Sequence, residues 1–587
     1  MSLTDAPDKL SATPDCASSF MLNTVVRGEW GWNGFVTSDA MAVSNIFSAH
    51  HYVNDSAAAA VAALVGGCDL ELTCCGSLPV YPTLVHSVRA GLLNESVVDT
   101  AIARVMRARF VVGDLDPPAS SPWAGLNESD IYSPESLELA RESARQSVVL
   151  LANSAVADGG LPWPRATLTG KTLCVTGPLA NATIDFMGGY TSSPAPGGII
   201  SPFTAFSSAL STGTTVTLVP GCAPGDGVVC AALETGLPAA LAVCDAIVLV
   251  LGTSAYASVK KVDPENAAHE GEGKDRTTVA LAGQQGALLS AARSAGKPLT
   301  VIVASGGMVD VGDELAGVGA LIAAPFGGQF AGDAIASVIL GDVNPAARLT
   351  TTWYTAAAFA SLGDLTNYSM SGRTYRYAAP GAARWPFGHG LSYSTFAYSD
   401  LAVSPSMPGP CDVLNVTVKI SNTAGPAGVE VAQLYTSFPG ASVPAQPVKA
   451  LVNWDRILVD AGSSVTLTLS ITPEDNAVLR NGDFVPVIEP GMRALWLGAS
   501  SDTGAAGLVG SYKISGAVTP LAQCSGGGGQ FARGRRTCVA APCSRGRRSG
   551  EEDHARHAAR VIKLAVQFYG ASRVGNTQHC HSDTTAT

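Results

Sequence analysis

Apolar and polar positions follow three different patterns along this chain. In residues 1–115, short apolar runs such as 34–39 (GFVTSD) and 68–72 (CDLEL) alternate with segments whose apolar residues recur at helical spacing. One such segment is the Ala-rich stretch 55–67, which starts with Asp-Ser and ends with Gly-Gly. Strands and helices that alternate in this way predict βα units on a parallel sheet.

The second pattern covers residues 136–356. Strand-like runs such as 172–177 (TLCVTG) and 245–252 (DAIVLVLG) recur, and the segment 283–297 between two such runs has helical spacing. We therefore predict a second domain, an α/β sandwich, over 136–356. The preceding stretch 116–135 is rich in Pro, Ser and Gly and is predicted to be a linker.

The third pattern has period two. Runs such as 414–421 (LNVTVKIS) and 429–437 (VEVAQLYTS) are separated by turn residues, which predicts an all-β sandwich over 401–515, preceded by an irregular linker at 357–400. Residues 516–587 are rich in Gly and Arg and are predicted to form a disordered tail. A basic tail that binds nucleic acid is the alternative for this segment.

Composition limits the partners of the chain. Its net charge of −11 argues against a nucleic-acid partner, and no apolar run reaches the roughly 18–20 residues that cross a bilayer, which argues against a membrane protein. The composition leaves the oligomeric state open. Thirteen cysteines and six Asn-X-Ser/Thr sequons favour an extracellular or vacuolar protein, although residues 1–10 do not have the pattern of a signal peptide. The sequons lie at Asn54, Asn94, Asn127, Asn181, Asn367 and Asn415.

Two places in the sequence carry candidate catalytic carboxylates. Asp39 comes where the apolar run 35–37 ends, and Glu71 comes at the end of the next predicted strand. The carboxyl ends of barrel strands carry catalytic groups, but an Asp there is also a common helix cap or turn residue. The segment 269–276 (HEGEGKDR) places Glu270 and Glu272 among glycines, which fits either a solvated loop or a loop-borne acid.

Several segments, taken in order, resemble glycoside hydrolase family 3, and within it the plant-type β-xylosidase branch. The segment 27–39 (RGEWGWNGFVTSD) resembles the segment of that family that bears the nucleophile, and HEGEGKDR resembles its acid/base loop. The segments 98–118 (VDTAIARVMRARFVVGDLDPP), 339–354 (ILGDVNPAARLTTTWY) and 372–396 (GRTYRYAAPGAARWPFGHGLSYSTF) resemble further signatures of the family.

The resemblance implies a multidomain α/β plus β fold. Its parts are the C-terminal remnant of a (β/α)8 barrel, an α/β sandwich domain and a fibronectin-III-like β-sandwich. Only the last βα units of the barrel are recognisable, in residues 1–115, so we expect an N-terminally truncated chain whose barrel folds poorly and hydrolyses little. Two strands of an eight-stranded barrel have open edges and uncovered faces.

The resemblance also implies a retaining exo-glycosidase that releases β-linked xylose from the non-reducing ends of plant cell-wall-type oligosaccharides. Asp39 falls on the nucleophile position and Glu272 on the acid/base position, with Glu270 as the fallback because the loop varies in length. Such a double displacement requires no metal and no organic cofactor. Glucose or arabinose as the released sugar, and a catalytically inactive carbohydrate-binding fragment, are the alternatives.

Overall fold

The structure is a computed structural model of the 587-residue chain. It divides into two compact units, and the boundary lies between Asp130 and Ile131. The residues that the structure describes are 13–74, 76–155, 159–195, 197–224, 227–255, 268–271, 276–312, 315–363, 367, 369–442, 446–479, 485–504 and 507–524.

The first unit consists of two short parallel strands and the helices around them. A 3₁₀ turn, Asp15–Ala17, and a π-helix, Phe20–Glu29, precede the first strand. The strands are β1 (Thr37–Ala40) and β2 (Leu70–Leu72), paired in parallel with Thr37 opposite Leu70. The α-helices are α1 (Ala42–Ser48), α2 (Ser56–Gly66), α3 (Leu84–Arg89) and α4 (Glu95–Val111).

Local sequence signals explain where the helices of this unit begin and end. The Asp55 carboxylate accepts a hydrogen bond from the Ala58 N–H at the start of α2, and Gly67 ends the helix with a left-handed φ of +112°. Asn94 caps α4 in the same way through the Ser96 N–H. The Ala-rich face of α2 packs with Val43 and Ile46 of α1 in a small buried core.

Much apolar surface of the first unit is not covered. Leu72 is 50% exposed and Leu78 is 85% exposed, and Phe110 and Val111 at the end of α4 are 65% and 79% exposed. A strand of a parallel sheet is normally covered on both faces. Among residues 13–74 and 76–130 the sheet has two strands only, as predicted for the last units of a barrel.

The second unit is built on a six-stranded sheet with the order β3-β8-β7-β6-β4-β5. All neighbouring pairs are parallel except β3 with β8, which is antiparallel. The strands are β3 (Val149–Asn153), β4 (Thr172–Thr176), β5 (Thr215–Val219), β6 (Ala246–Gly252), β7 (Leu299–Ala304) and β8 (Ala320–Ala324).

Helices cover both faces of this sheet, so its central strands are almost entirely apolar, with Thr300 of β7 as a buried polar exception. Every residue of β6, β7 and β8 is buried, and separate apolar cores lie on the two faces. The helices of this part are α5 (Pro134–Arg145), α6 (Arg165–Leu168), α7 (Pro202–Ala209), α8 (Leu237–Ala242), α9 (Gln285–Ser294) and α10 (Ala331–Ile339).

Short elements connect the six-stranded sheet to a β-sandwich. They are β9 (Trp353–Tyr354), α11 (Ala356–Ala360), α12 (Thr374–Tyr377) and β10 (Ala383–Trp385). The strands of the sandwich are β11 (Thr395–Ser404), β12 (Leu414–Ala424), β13 (Gly428–Ser437), β14 (Ala450–Val459), β15 (Ser464–Ile471), β16 (Ala477–Leu479), β17 (Pro486–Ile488), β18 (Gly491–Gly498), β19 (Gly507–Ile514) and β20 (Thr519–Pro520).

The sandwich has three antiparallel sheets, with the orders β11-β12-β15, β14-β13-β18-β19 and β16-β17-β20. Alternate residues of β12, such as Val416 and Val418, are fully buried and pack in the sandwich core. The multidomain α/β plus β fold class is therefore confirmed.

Two predicted boundaries differ from the structure. Strand β11 begins at Thr395, inside the predicted linker 357–400, because its residues are only partly buried and give a weak apolar alternation. The predicted tail 516–587 begins too early, since β20 pairs with β17 and Cys524 forms a disulfide with Cys411. Residues 525–587 lie outside the described part of the chain.

Candidate active site

Asp39 is the third residue of strand β1, and its side chain is exposed. Its Oδ1 accepts a hydrogen bond of 2.7 Å from the Ala40 N–H. The neighbours of Asp39 are tied to strand β2, because the Ser38 Oγ accepts from the Leu72 N–H (2.9 Å) and the Met41 N–H donates to the Leu72 carbonyl (3.0 Å). The chain therefore presents one carboxylate on a short backbone segment that is fixed on both sides.

A buried ion cluster supports the start of both strands. The Asp69 carboxylate, with a side chain only 2% exposed, binds Arg27 at 2.5 Å and Arg104 at 2.9 Å, and it also accepts from the Val36 N–H at 2.8 Å. Because Val36 directly precedes β1, this cluster holds the chain that leads to Asp39. The sequence reasoning did not single out Asp69, although its partner Arg27 lies in the RGEWG motif.

Glu71 has a structural role in this unit. It lies in the middle of β2, not at its end, and its carboxylate accepts from the backbone N–H groups of Val80 (2.8 Å) and Tyr81 (2.7 Å). These donors belong to the start of a short 3₁₀ turn, Tyr81–Thr83. Glu71 therefore caps a turn, as acidic side chains at helix starts commonly do.

Glu270 lies in the second unit, at the carboxyl ends of the neighbouring parallel strands β6 and β7. Its Oε2 accepts from the Thr253 hydroxyl and, at 2.6 Å, from the Gly306 N–H, while the Gly307 N–H lies 3.2 Å from Oε1. A Cβ added at Gly307 would lie 3.2 Å from that same Oε1, so glycine permits this close approach. The carboxyl ends of parallel strands are where ligands bind in open α/β sheets.

Arg276 completes the surroundings of Glu270. The Nε of Arg276 lies 3.0 Å from the Glu270 Oε1, and Nη2 donates to the Met308 carbonyl. Burial lowers the pKa of Arg276, and the charge of Glu270 partly offsets that effect. Among the described residues, the Glu270 carboxylate makes its hydrogen bonds and its ion pair with N–H and O–H donors and with this guanidinium.

The predicted acid/base residue, Glu272, lies outside the described residues, as does Asp275. Residues 272–275 lie between Glu270 and Arg276 in the sequence, and Glu270 and Arg276 form an ion pair with each other. Asp39 belongs to the first unit and Glu270 to the second. The roles of Asp39, Glu272 and Glu270 thus stay predictions.

In the part of the chain that the structure describes, no group of three or more His, Cys, Asp or Glu side chains has the geometry to hold a metal ion. No helix within those residues is long and apolar enough to cross a bilayer.

Three family models match the chain in succession. Residues 4–108 match the glycosyl hydrolase family 3 N-terminal domain, residues 148–393 match the C-terminal domain of that family, and residues 430–501 match a fibronectin type III-like domain. The matched ranges follow the parallel βα units, the six-stranded domain and the sandwich.

Named relatives agree with these models. A probable exo-1,4-beta-xylosidase of Aspergillus oryzae is 30% identical over 522 residues, which cover 84% of this chain and 61% of the relative. A beta-xylosidase/alpha-L-arabinofuranosidase of Medicago sativa is 33% identical over 405 residues, 66% of this chain and 48% of the relative. The chain thus spans less than two thirds of the length of these relatives.

Two solved structures of glycosidases are similar to this chain over most of its length. The GH3 exo-beta-xylosidase XlnD in complex with a xylobiose aziridine probe has a TM-score of 0.74 and 26% identity, covering 87% of this chain and 65% of that one. A β-glucosidase from Erythrobacter marinus has a TM-score of 0.70 and 29% identity, covering 85% and 66%.

The parts of the fold define a class of multidomain proteins: βα units with an exposed carboxylate on a strand, an α/β domain with a carboxylate-bearing loop, and a β-sandwich. The chain belongs to glycoside hydrolase family 3, so the resemblance seen in its motifs is confirmed.

Proposed function

We propose that this protein acts as a retaining exo-glycosidase that releases β-linked xylose from the non-reducing ends of oligosaccharides. The observation that carries the proposal is the presentation of Asp39, an exposed carboxylate on a backbone segment fixed by Ser38 and Leu72. Fixed placement matters because an error of ~1 Å in the position of a reacting group costs about 10²-fold in rate. The exo-xylosidase names of relatives in this family support the choice of xylose.

The proposed reaction is a double displacement. The Asp39 carboxylate attacks the anomeric carbon and forms a glycosyl ester, while a second carboxyl group gives its proton to the departing oxygen. That second group then removes a proton from water, which attacks the ester and releases the sugar with its configuration retained. No metal or organic cofactor takes part in these steps.

We assign the acid/base role to Glu272 in preference to Glu270. A general acid has to carry a proton, and the oxygens of Glu270 already accept from Thr253, Gly306 and Gly307 and face the guanidinium of Arg276. A proton on Glu270 would remove the charge that pairs with Arg276 and would place a donor against another donor. Glu270 therefore serves as a positioning residue for the loop that bears Glu272.

The experiment expresses this chain and incubates it with a 2-deoxy-2-fluoro-β-xylosyl fluoride, which forms the ester but hydrolyses it slowly. Peptide mass spectrometry is expected to find the added sugar on Asp39. Nitrophenyl β-xyloside, β-glucoside and α-L-arabinofuranoside are then compared as substrates, because relatives and solved structures include β-glucosidases and a bifunctional arabinofuranosidase. A higher kcat/KM for the glucoside identifies a β-glucosidase.

Asp39→Asn is the matched variant, and it is expected to abolish both the label and turnover. A label on another carboxylate, or turnover that survives Asp39→Asn, contradicts the assignment. Saturable sugar binding without a label or turnover would instead identify a catalytically inactive carbohydrate-binding protein.

We also propose that the protein works in an oxidising compartment, outside the cell or in a vacuole. Three disulfides support this proposal: Cys174–Cys244, Cys222–Cys230 and Cys411–Cys524. The asparagine of each of the six sequons is exposed, so each is accessible to glycosylation. Expression in a eukaryotic secretory host should give a band that shifts on treatment with an N-glycosidase, and an unshifted band would argue against the proposal.

A further inference from the structure

A pocket of about 370 Å³ lies between the β-sandwich and the α/β part of the second unit. One wall is the face of β13 and β14 that points away from the sandwich core: Val431 pairs with Arg456, and Gln433 pairs with Trp454. The neighbouring residues Ala432 and Leu434 point to the opposite side, into the core. The facing wall comes from residues 346–350, Phe387 and Gln146.

Aromatic rings form the apolar part of this pocket. Trp454 lines it and is 39% exposed, and Phe387 lines it from the other wall. An indole that stays partly exposed at a concave site offers a flat apolar face next to polar groups. The C–H face of a pyranose ring is a suitable partner for such a surface, because ligand pockets commonly combine aromatic walls with a few placed polar groups.

Two arginines line the pocket, and they differ in their partners. The Nη1 of Arg456 donates to the Gln146 Oε1 at 2.5 Å, and no carboxylate among the described residues lies within ion-pair distance of Arg456. The side chain of Arg348 is 7% exposed and binds Glu430 at 3.1 Å. Because Arg348 is buried and already paired with Glu430, the exposed guanidinium of Arg456 is the donor of this pocket that is open to an acceptor from outside.

The floor of the pocket is held rigidly. The Gln433 amide donates to the carbonyls of Gly388 (3.1 Å) and Ala499 (2.5 Å), and its Oε1 accepts from the Tyr435 hydroxyl. Glu430 holds Arg348 on one oxygen and accepts from the Tyr398 hydroxyl on the other. Preorganised groups of this kind lower the cost of ordering a site when a ligand binds.

We propose that this pocket binds an acidic sugar, a hexuronate unit of an oligosaccharide. Among its described lining residues there is no Asp or Glu side chain, and of its two guanidinium groups that of Arg456 is not paired with a carboxylate of the described residues. A carboxylate satisfies the guanidinium donors of Arg456 better than a neutral hydroxyl does. Its volume lies at the lower end of the roughly 300–1,000 Å³ of small-molecule sites, which suits one or two sugar rings stacked on Trp454.

The test titrates the full chain with methyl β-D-glucuronide, methyl β-D-glucoside and acetate by calorimetry at low ionic strength. The glucuronide is expected to bind at least about tenfold more tightly than either of the others, because only it offers both a ring face and a carboxylate. Equal affinities for the glucuronide and the glucoside, or the absence of saturable binding, would overturn the proposal. Acetate that competes as well as the glucuronide would reduce the pocket to a general anion site and would also overturn it.

Variants locate the binding. Arg456→Gln is expected to weaken glucuronide binding about tenfold or more, and Arg456→Lys less, since the lysine keeps the charge but not the planar fork. Lys419→Gln is the matched control, because it removes an exposed positive charge from β12, in another sheet of the same sandwich. Trp454→Phe should keep binding and Trp454→Ala should lose it, which tests the site even if Arg456→Gln fails to fold. Unchanged affinity in Arg456→Gln and Trp454→Ala would place the sugar elsewhere.

Discussion

The Oε1 atom of Glu270 lies 3.0 Å from the Nε of Arg276, and their side chains are 12% and 9% exposed. The same carboxylate accepts from the backbone N–H groups of Gly306 and Gly307, directly after strand β7. A loop that follows one strand is thereby fastened to the loop that follows its neighbour. The residue proposed as the acid/base, Glu272, lies in the sequence between the two ends of this ion pair.

Glu270→Gln should loosen this attachment, because a neutral amide gives up the ion pair with Arg276 and offers one acceptor oxygen instead of two. Hydrogen exchange of the amides of Gly306 and Gly307 is expected to accelerate, as measured by mass spectrometry of peptides covering 304–310. The control is Glu138→Gln, which removes an exposed carboxylate paired with Arg141. Exchange that is equal in the two variants would show that Glu270 does not hold the loop.

Glu272→Gln should reduce kcat for xylosides with poor leaving groups by about 10²–10⁴-fold, the usual contribution of general acid/base catalysis. Azide needs no general base to attack the glycosyl ester, so it should restore turnover of an activated xyloside and give a β-xylosyl azide. Glu270→Gln should not respond to azide, because a positioning residue leaves the acid/base group in place. Azide rescue of Glu270→Gln alone would exchange the two roles.

Asp69→Asn should destabilise the first unit by ~3–5 kcal/mol, because it leaves the largely buried charge of Arg27 and the partly exposed charge of Arg104 without their carboxylate partner. The measurement is unfolding in urea, in which limited proteolysis of the first unit reports the fraction of that unit that is unfolded. Asp114→Asn is the matched control: Asp114 pairs with Arg109, both about half exposed, and such a pair is worth about 1 kcal/mol or less. A loss of stability no larger than in the control would mean that the cluster does not hold the strands.

The second unit should lose stability as the pH falls below the ordinary pKa of histidine, about 6.5. Burial lowers the pKa of His389, the charge of Arg348 adds to this effect, and a hydrogen bond to the Leu151 carbonyl opposes it. The unfolded chain therefore takes up this proton first, so the contribution of His389 is fully present above about pH 6.5 and declines as the pH drops towards the lowered value.

The midpoint of urea unfolding, followed by tryptophan fluorescence, should be higher at about pH 7.5 than at about pH 5.5. His389→Gln should reduce this difference, because it removes the titrating group. His86→Gln, an exposed histidine of the first unit, is the control and should leave the difference unchanged. A pH dependence that persists in full without His389 would assign it to other groups.

The sequence by itself determined the order and type of the domains and pointed to Asp39. Alternating apolar runs mark strands such as β12, and the flanking Asp and Gly mark the ends of α2, because both signals arise from contacts within a few residues. The motifs around Asp39 and Glu272 were equally local.

Only the tertiary structure decided what the individual carboxylates do. Asp69 acquires its role from Arg27 and Arg104, which are far from it in the sequence, and Glu270 acquires its role from Gly306 and Arg276. The pocket beside Trp454 likewise depends on strand register and on residues from another domain. Burial, ionisation and binding depend on neighbours that only the folded chain brings together, and no periodicity in the sequence records which neighbours those are.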